Sequence, residues 1–175
     1  LVTHISAATG AFTWMVMERI RFGKASALGI VTGMVAGLGT ITPASGYVGP
    51  GGALIIGLSA GVVCFFATIY IKRRLKIDDS LDVFPVHGVG GILGMLLTGV
   101  FASNALGVFS GQEDIAITSQ VGTQALGVVA TVLYTGVVTW GILKFTDAMV
   151  GNRVDEDQEQ EGLDLVSHNE RGYDL

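Results

Sequence analysis

Two runs of this chain carry no Asp, Glu, Lys or Arg: residues 25–71, and residues 83–112 between Asp82 and Glu113. About 20 apolar residues in a helix cross the ~30 Å hydrocarbon core of a bilayer, so each run is long enough to span. Half of the 175 residues are hydrophobic, 14% are charged and the mean hydropathy is +0.59. That balance argues against a soluble globular domain and for an all-α, polytopic transmembrane helix bundle. The 26 glycines follow no three-residue period and point to close helix–helix contacts. Cys64 is the single cysteine, so no intrachain disulfide can form, and inside an apolar run it reads as a small buried hydrophobe.

The chain starts at Leu1 in an apolar stretch with no basic residue before it, which is not the pattern of a signal peptide. The expectation is a fragment that begins within a membrane helix. Charges and turn formers divide the rest. Arg19, Arg21 and Lys24 make one basic loop, and Lys72, Arg73, Arg74 and Lys76 a second. The run T-P-A-S-G-Y-V-G-P-G-G at 42–52 breaks the first long apolar run into two helices. Five spans result, at about 1–18, 25–41, 52–71, 82–102 and 119–150, followed by a tail at 151–175. The polar connection before the last span includes Asn104, Gly111, Gln112, Glu113 and Asp114. Under alternating topology every Lys and Arg then falls on one side, which makes that side, and the tail, cytoplasmic. The tail holds eight acids against two bases and reads as solvated, with Leu163, Leu165, Val166 and Tyr173 as apolar residues able to dock.

His87 is the one titratable side chain inside the second charge-free run. If Asp82 caps the helix, with Pro85 in the first turn, His87 lies roughly 7 Å further in at 1.5 Å per residue. A histidine at that depth needs a polar partner or a wet cavity, or stays neutral, and so reads as functional. Gly91, Gly94 and Thr98 share its helical face and leave room beside the ring. Asp78, Asp79 and Asp82 are expected to cap this helix and pair with Arg73 or Arg74, with attraction for a departing cation as the lesser reading. Small residues recur every four positions at Gly29, Gly33 and Gly37, at Ala53, Gly57 and Gly61, and at Gly90, Gly94 and Thr98. Each row reads first as a packing face. Trp14 and Glu18 read as an interfacial anchor and acid, and His4 as structural. Three scattered histidines make a metal site a poor reading. Phosphate loops, nucleophile elbows and paired catalytic carboxylates are absent from the sequence, and its basic residues are topological rather than a nucleic-acid patch. No cofactor is implied, and an intramembrane enzyme using His87 would need a nucleophile or second carboxylate that these spans do not supply.

Three stretches carry a resemblance: D-D-S-L-D-V-F-P-V-H-G-V-G-G-I-L-G-M-L-L-T-G-V-F-A at 78–102, A-G-L-G-T-I-T-P-A-S-G-Y-V-G-P-G-G-A-L-I-I-G at 36–57, and the tail G-N-R-V…E-G-L-D…S-H-N-E. With W-x-x-x-E at Trp14 and Glu18 and Gly-Lys-x-Ser at 23–26, they span nearly the whole chain. The chain thereby resembles the ammonium transporter (Amt/Mep/Rh) superfamily, in its Amt branch. The resemblance implies an eleven-helix fold of two inverted five-helix repeats plus a final helix, a homotrimer with one pore per subunit, and a place for this chain in the second half. It implies transport of ammonium or ammonia, with methylammonium as an analogue, across a plasma or inner membrane. His87 matches the second member of a twin-histidine pair that lines a hydrophobic pore, Val83 the pore position below it, and Asp79 and Asp82 the acids where the helix starts. Gly162, Leu163, Asp164 and His168 match a regulatory tail that can meet PII-type signal proteins.

The first histidine, the phenylalanine gate and the aromatic cation site belong by this resemblance to the other half. Three departures stand out: Pro85 where the family has a small residue, His4 where it has Asn or Thr, and Asn169 and Gly172 where the tail has Gly and Ala. The alternative is an ammonium sensor of the same fold signalling through its tail. A gas channel of the Rh type is nearer, but E-G-L-D…H favours Amt. Electrogenic ammonium and neutral ammonia plus proton both remain open readings.

Overall fold

Helix after helix is built on close backbone approach. The computed structural model describes residues 1–103, 106–108 and 116–171. Of the expected connection, Asn104, Gly111, Gln112, Glu113 and Asp114 lie outside the described residues, as do Gly172 and Tyr173. The helices are α1 (Val2–Phe22), α2 (Ala27–Ile41), α3 (Pro50–Tyr70), α4 (Gly90–Phe101), α5 (Ile117–Val150), α6 (Glu156–Glu161) and α7 (Leu163–His168). A wide π-helical turn, Ile71–Leu75, extends α3, and a second, Phe84–Val89, leads into α4. No strand occurs among the described residues, only an isolated antiparallel bridge between Val48 and Gly107.

The chain divides into two units, residues 1–129 and 130–175. In the first, α1 lies against both α2 and α3. A Cβ placed on Gly10 would sit 2.5 Å from the Gly33 carbonyl oxygen and 3.0 Å from the Gly37 Cα. One on Gly61 would sit 2.5 Å from the Thr13 Cβ, and one on Gly57 2.5 Å from the Ser6 carbonyl oxygen. The Ser6 hydroxyl donates to the Gly37 carbonyl at 2.9 Å and ties α1 to α2 inside the bundle. Small residues thus bring polar groups of neighbouring helices into reach, which is how helices associate where lipid offers no hydrophobic drive. Two apolar clusters fill the rest: Trp14, Ala36, Ala60, Cys64, Phe65 and Val86, and Ile41, Ala44, Val48, Ala53 and Ile56.

Trp14 corrects the sequence reading. It is 4% exposed and meets Phe65 edge-on, ring centroids 5.5 Å apart, so it is a core residue and not an interfacial anchor. His4 is exposed on α1 and takes no place in the core.

The break between α1 and α2 is set by local chemistry. Gly23 at φ 78 closes α1, donating its N–H to the Arg19 carbonyl at 3.0 Å. Ser26 caps α2, its hydroxyl accepting from the Gly29 N–H at 2.9 Å. The Glu18 carboxylate accepts in turn from the Ser26 N–H at 2.7 Å and from its hydroxyl at 3.1 Å. Ser26→Ala should therefore lower the thermal midpoint of the detergent-solubilised protein, by the loss of about 1 kcal/mol. Ser26→Asp, ordinarily a good cap, should do no better, because a second carboxylate would face Glu18.

In the second unit the exposed remainder of α5 ends at Gly151, φ 77, with the Asn152 side chain donating to the Leu143 carbonyl at 2.8 Å. Arg153 clasps Glu159 through Nε at 2.7 Å and Nη2 at 2.9 Å. This hydrogen bond holds the Glu159 carboxyl below its ordinary value. The clasp is therefore complete above the ordinary carboxylate range and is lost as pH falls through it.

Candidate functional site

The helix that carries His87 is started by a tight arrangement of acids and one base. After the left-handed Lys76, φ 53, the chain runs to Asp79, whose two carboxylate oxygens accept from the Val83 and Phe84 N–H groups, each at 2.8 Å. Asp79 is therefore the cap. Asp82, expected to cap, instead adopts φ 57 and turns the chain into the helix, its carboxylate held 2.8 Å from the Lys72 Nζ. The expected partners Arg73 and Arg74 do not fill that place. Each helical residue is rotated by about 100° from the last, and the one after Lys72 points elsewhere: the Arg73 guanidinium lies over the Phe22 ring, 5.5 Å from its centroid. Asp79→Ala should cost about 1 kcal/mol through two unpaired N–H groups, with Asp79→Asn, which keeps one acceptor, intermediate; thermal melts of the two variants check the order.

Beyond this threshold the π-helical turn sorts its side chains into two faces. Pro85 and Val86 are buried, Val86 in the cluster with Trp14, Cys64 and Phe65. Val83, Phe84 and His87 are exposed on the other side. Wide turns of this kind occur mostly as short insertions at functional places, and here the inserted turn contains the candidate histidine. A Cβ on Gly91 would meet nothing within 4 Å, so open space continues beyond His87. Gly94 differs from its expected role: a Cβ there would sit 3.0 Å from the Thr40 carbonyl carbon, and Thr98 is buried. Gly90 likewise faces Thr40 and Cys64. These three seat the helix against its neighbours, and the room beside the ring comes from Gly91 alone of the four small residues named.

Val83 and His87 are thus brought to one exposed face, with Asp79 and Asp82 at its start. In the tail, Gly162, φ 105, separates α6 from α7, which contains Leu163, Asp164 and His168, all exposed. Asn169 closes α7 at φ 52, the left-handed position glycine fills best and asparagine next best. Its departure from the family pattern thus keeps the same cap. The Glu18–Ser26 capping network was missed in the sequence, although W-x-x-x-E and Gly-Lys-x-Ser held both residues. Among the described residues no three His, Cys, Asp or Glu side chains converge as a metal site would need.

Three helical segments, Pro50–Leu75, Phe84–Phe101 and Ile117–Val150, are long and apolar enough to cross a membrane, and the shorter α2 is apolar too. With their glycine contacts and an uncharged helix presenting a histidine, they define a multi-pass α-helical membrane protein. Residues 1–173 match the Ammonium Transporter Family, and the chain belongs to it. It is 41% identical over 177 residues to the ammonium transporter Amt1 of Archaeoglobus fulgidus, covering 99% of this chain and 44% of that protein. With an ammonium transporter of Aquifex aeolicus the identity is 43% over 173 residues, covering 99% and 40%. The structure is similar to that of Saccharomyces cerevisiae Mep2, with TM-score 0.78, 36% identity and coverage of 90% of this chain and 37% of that one. It is also similar to a solved structure described as a sensor Amt protein, with TM-score 0.83, 29% identity and coverage of 94% and 40%. The chain spans roughly two fifths of the length of these proteins.

Proposed function

We propose that the protein conducts ammonium or ammonia across a cell membrane through a hydrophobic pore, with His87 and Val83 on the pore face and His87 as one member of a twin-histidine pair. The observation that carries this is the division of one uncharged helix into a buried face, Pro85 and Val86, and an exposed face, Val83 and His87. A bare cation in an apolar conduit is too costly, so the substrate sheds water, and its proton, before passing. A neutral imidazole offers one donor and one acceptor without a fixed charge, and suits a small polar molecule in such a place. The other member of the pair is not among these 175 residues, since His4 and His168 are the remaining histidines.

In this reading the domain of residues 1–150 is the membrane part, and residues 151–175 form a cytoplasmic tail, as the clustering of Lys and Arg supports. The whole protein is a homotrimer, and Gly162, Leu163, Asp164 and His168 are the tail's regulatory residues, open to a PII-type partner. The test is uptake of labelled methylammonium by cells making the full-length protein, expected well above vector control. A second reading, an ammonium sensor signalling through the tail, is favoured by the likeness to the sensor Amt protein. It predicts binding without uptake above control.

A further inference from the structure

The geometry points to the Lys72–Asp82 ion pair as the device that positions Val83 and His87; this rests on reading their helix as pore wall. Asp82 is a non-glycine residue at φ 57, a conformation that L side chains adopt only when something holds them there. Two ties are on the page. Its carboxylate is fixed 2.8 Å from the Lys72 Nζ, and its carbonyl accepts from the Val86 N–H at 3.1 Å. Lys72 itself is carried by the π-helical turn that extends α3, next to the buried Ile71, and its Nζ also reaches the Ser80 carbonyl at 3.5 Å. Asp79 holds the two N–H groups that follow Asp82. The segment from Asp79 to Val86 is thus pinned at both ends, with its one left-handed hinge secured by charge.

Packing does not duplicate that tie. On the side of Asp82 away from the exposed face lies a cavity of about 220 Å³, whose lining includes Glu18, Ser26, Thr32, Thr68, Lys72 and Asp82. The buried Thr68 hydroxyl in its wall has no hydrogen-bond partner among the described residues. A hinge backed by a cavity is free to relax once its ion pair is gone. Because Val83 follows Asp82 directly and His87 stands one turn further on, a change of φ at residue 82 turns both away from their present face. Pro85 and Val86, buried among α1, α3 and their neighbours, keep the helix seated meanwhile. The defect is therefore one of aim and not of folding.

The test uses the full-length protein in membranes, with Asp82→Asn, Lys72→Met and Lys72→Arg. Asparagine tolerates the left-handed conformation, so Asp82→Asn removes the charge and leaves the turn chemistry. Expected in both Asp82→Asn and Lys72→Met are wild-type amounts of assembled protein, at least fivefold faster amide exchange at Val83, Phe84 and Val86, and an at least fivefold lower maximal methylammonium uptake with unchanged KM. Lys72→Arg should restore both rates. Unchanged exchange in the two charge-removing variants would overturn the proposal. So would uptake that falls only in step with the amount of assembled protein, or an arginine variant no better than methionine. A wild-type protein without uptake would sink the transport reading alone, since the exchange measurement decides the positioning role without it.

Discussion

Gly37→Leu is expected to reduce correctly assembled full-length protein in the membrane by at least tenfold. A Cβ on Gly37 would sit 2.9 Å from the Ser6 carbonyl carbon and 3.1 Å from the Ala7 Cα, both backbone atoms of α1 that no rotamer change can move. The helices would have to part, and the Ser6 hydroxyl would then lose the Gly37 carbonyl it meets at 2.9 Å. Overpacking alone costs about 1–3 kcal/mol, and an interhelical hydrogen bond in a membrane bundle roughly 0.6–1.7 kcal/mol more. About 1.4 kcal/mol is a factor of ten in a folding equilibrium, so the combined loss exceeds that threshold. Two glycines serve as controls. A Cβ on Gly122 would meet nothing within 4 Å, and one on Gly39 would make an ordinary 3.7 Å contact with the Val86 carbonyl oxygen. Both should accept alanine. Equal yields and melting behaviour for Gly37→Leu and Gly122→Ala, measured by size-exclusion profiles of the solubilised protein, would show that the close approach of α1 and α2 is dispensable.

That contrast also shows what the sequence could and could not convey. A four-residue spacing identifies the face formed by Gly29, Gly33 and Gly37 but not what covers it, and the structure supplies Glu18, Trp14 and Ser6. The same ambiguity misassigned Gly94, which shares a helical stripe with His87 on paper but is covered by α2 once the π-helical turn has altered the register. Inserted turns leave no periodic trace, because one turn is too short to shift a pattern. Asp79 and Asp82 were both legible as acids where the helix starts. Which of them caps depends on the positive φ at Asp82, and nothing in D-D-S-L-D announces it. In K-R-R the choice of Lys72 as the ion-pair partner is likewise a matter of rotation about α3, since any of the three bases has the charge. Trp14 was misread for another reason: a tryptophan one turn from a glutamate suits a membrane boundary, and only the edge-on contact with Phe65 places it inside. The uncharged helices and the isolated histidine were plain from the start, since lipid compatibility constrains composition residue by residue.

His87→Ala, in the full-length protein, should lower ammonium conductance or methylammonium uptake by about 10- to 100-fold, or change what is conducted, while leaving assembly intact. The second half of this expectation follows from the structure. His87 is exposed, and no hydrogen bond or ion pair reaches it among the described residues, so its removal opens no cavity and strands no buried partner. The first half follows from the proposed pore. A hydrogen bond to a charged or strongly polar partner is worth about 1.5–3 kcal/mol, and at about 1.4 kcal/mol per decade its loss on the conduction path gives the stated range. Alanine also widens the conduit, which would admit water and relax the exclusion of other cations. A rise in potassium conductance together with reduced ammonium selectivity would therefore support the same role. His4→Ala is the control, exposed on α1 and away from the threshold of the histidine helix, and should match wild type. Unchanged conductance and selectivity in His87→Ala, measured on proteoliposomes with equal amounts of assembled protein, would remove His87 from the pore and return it to an incidental place on an exposed helix face.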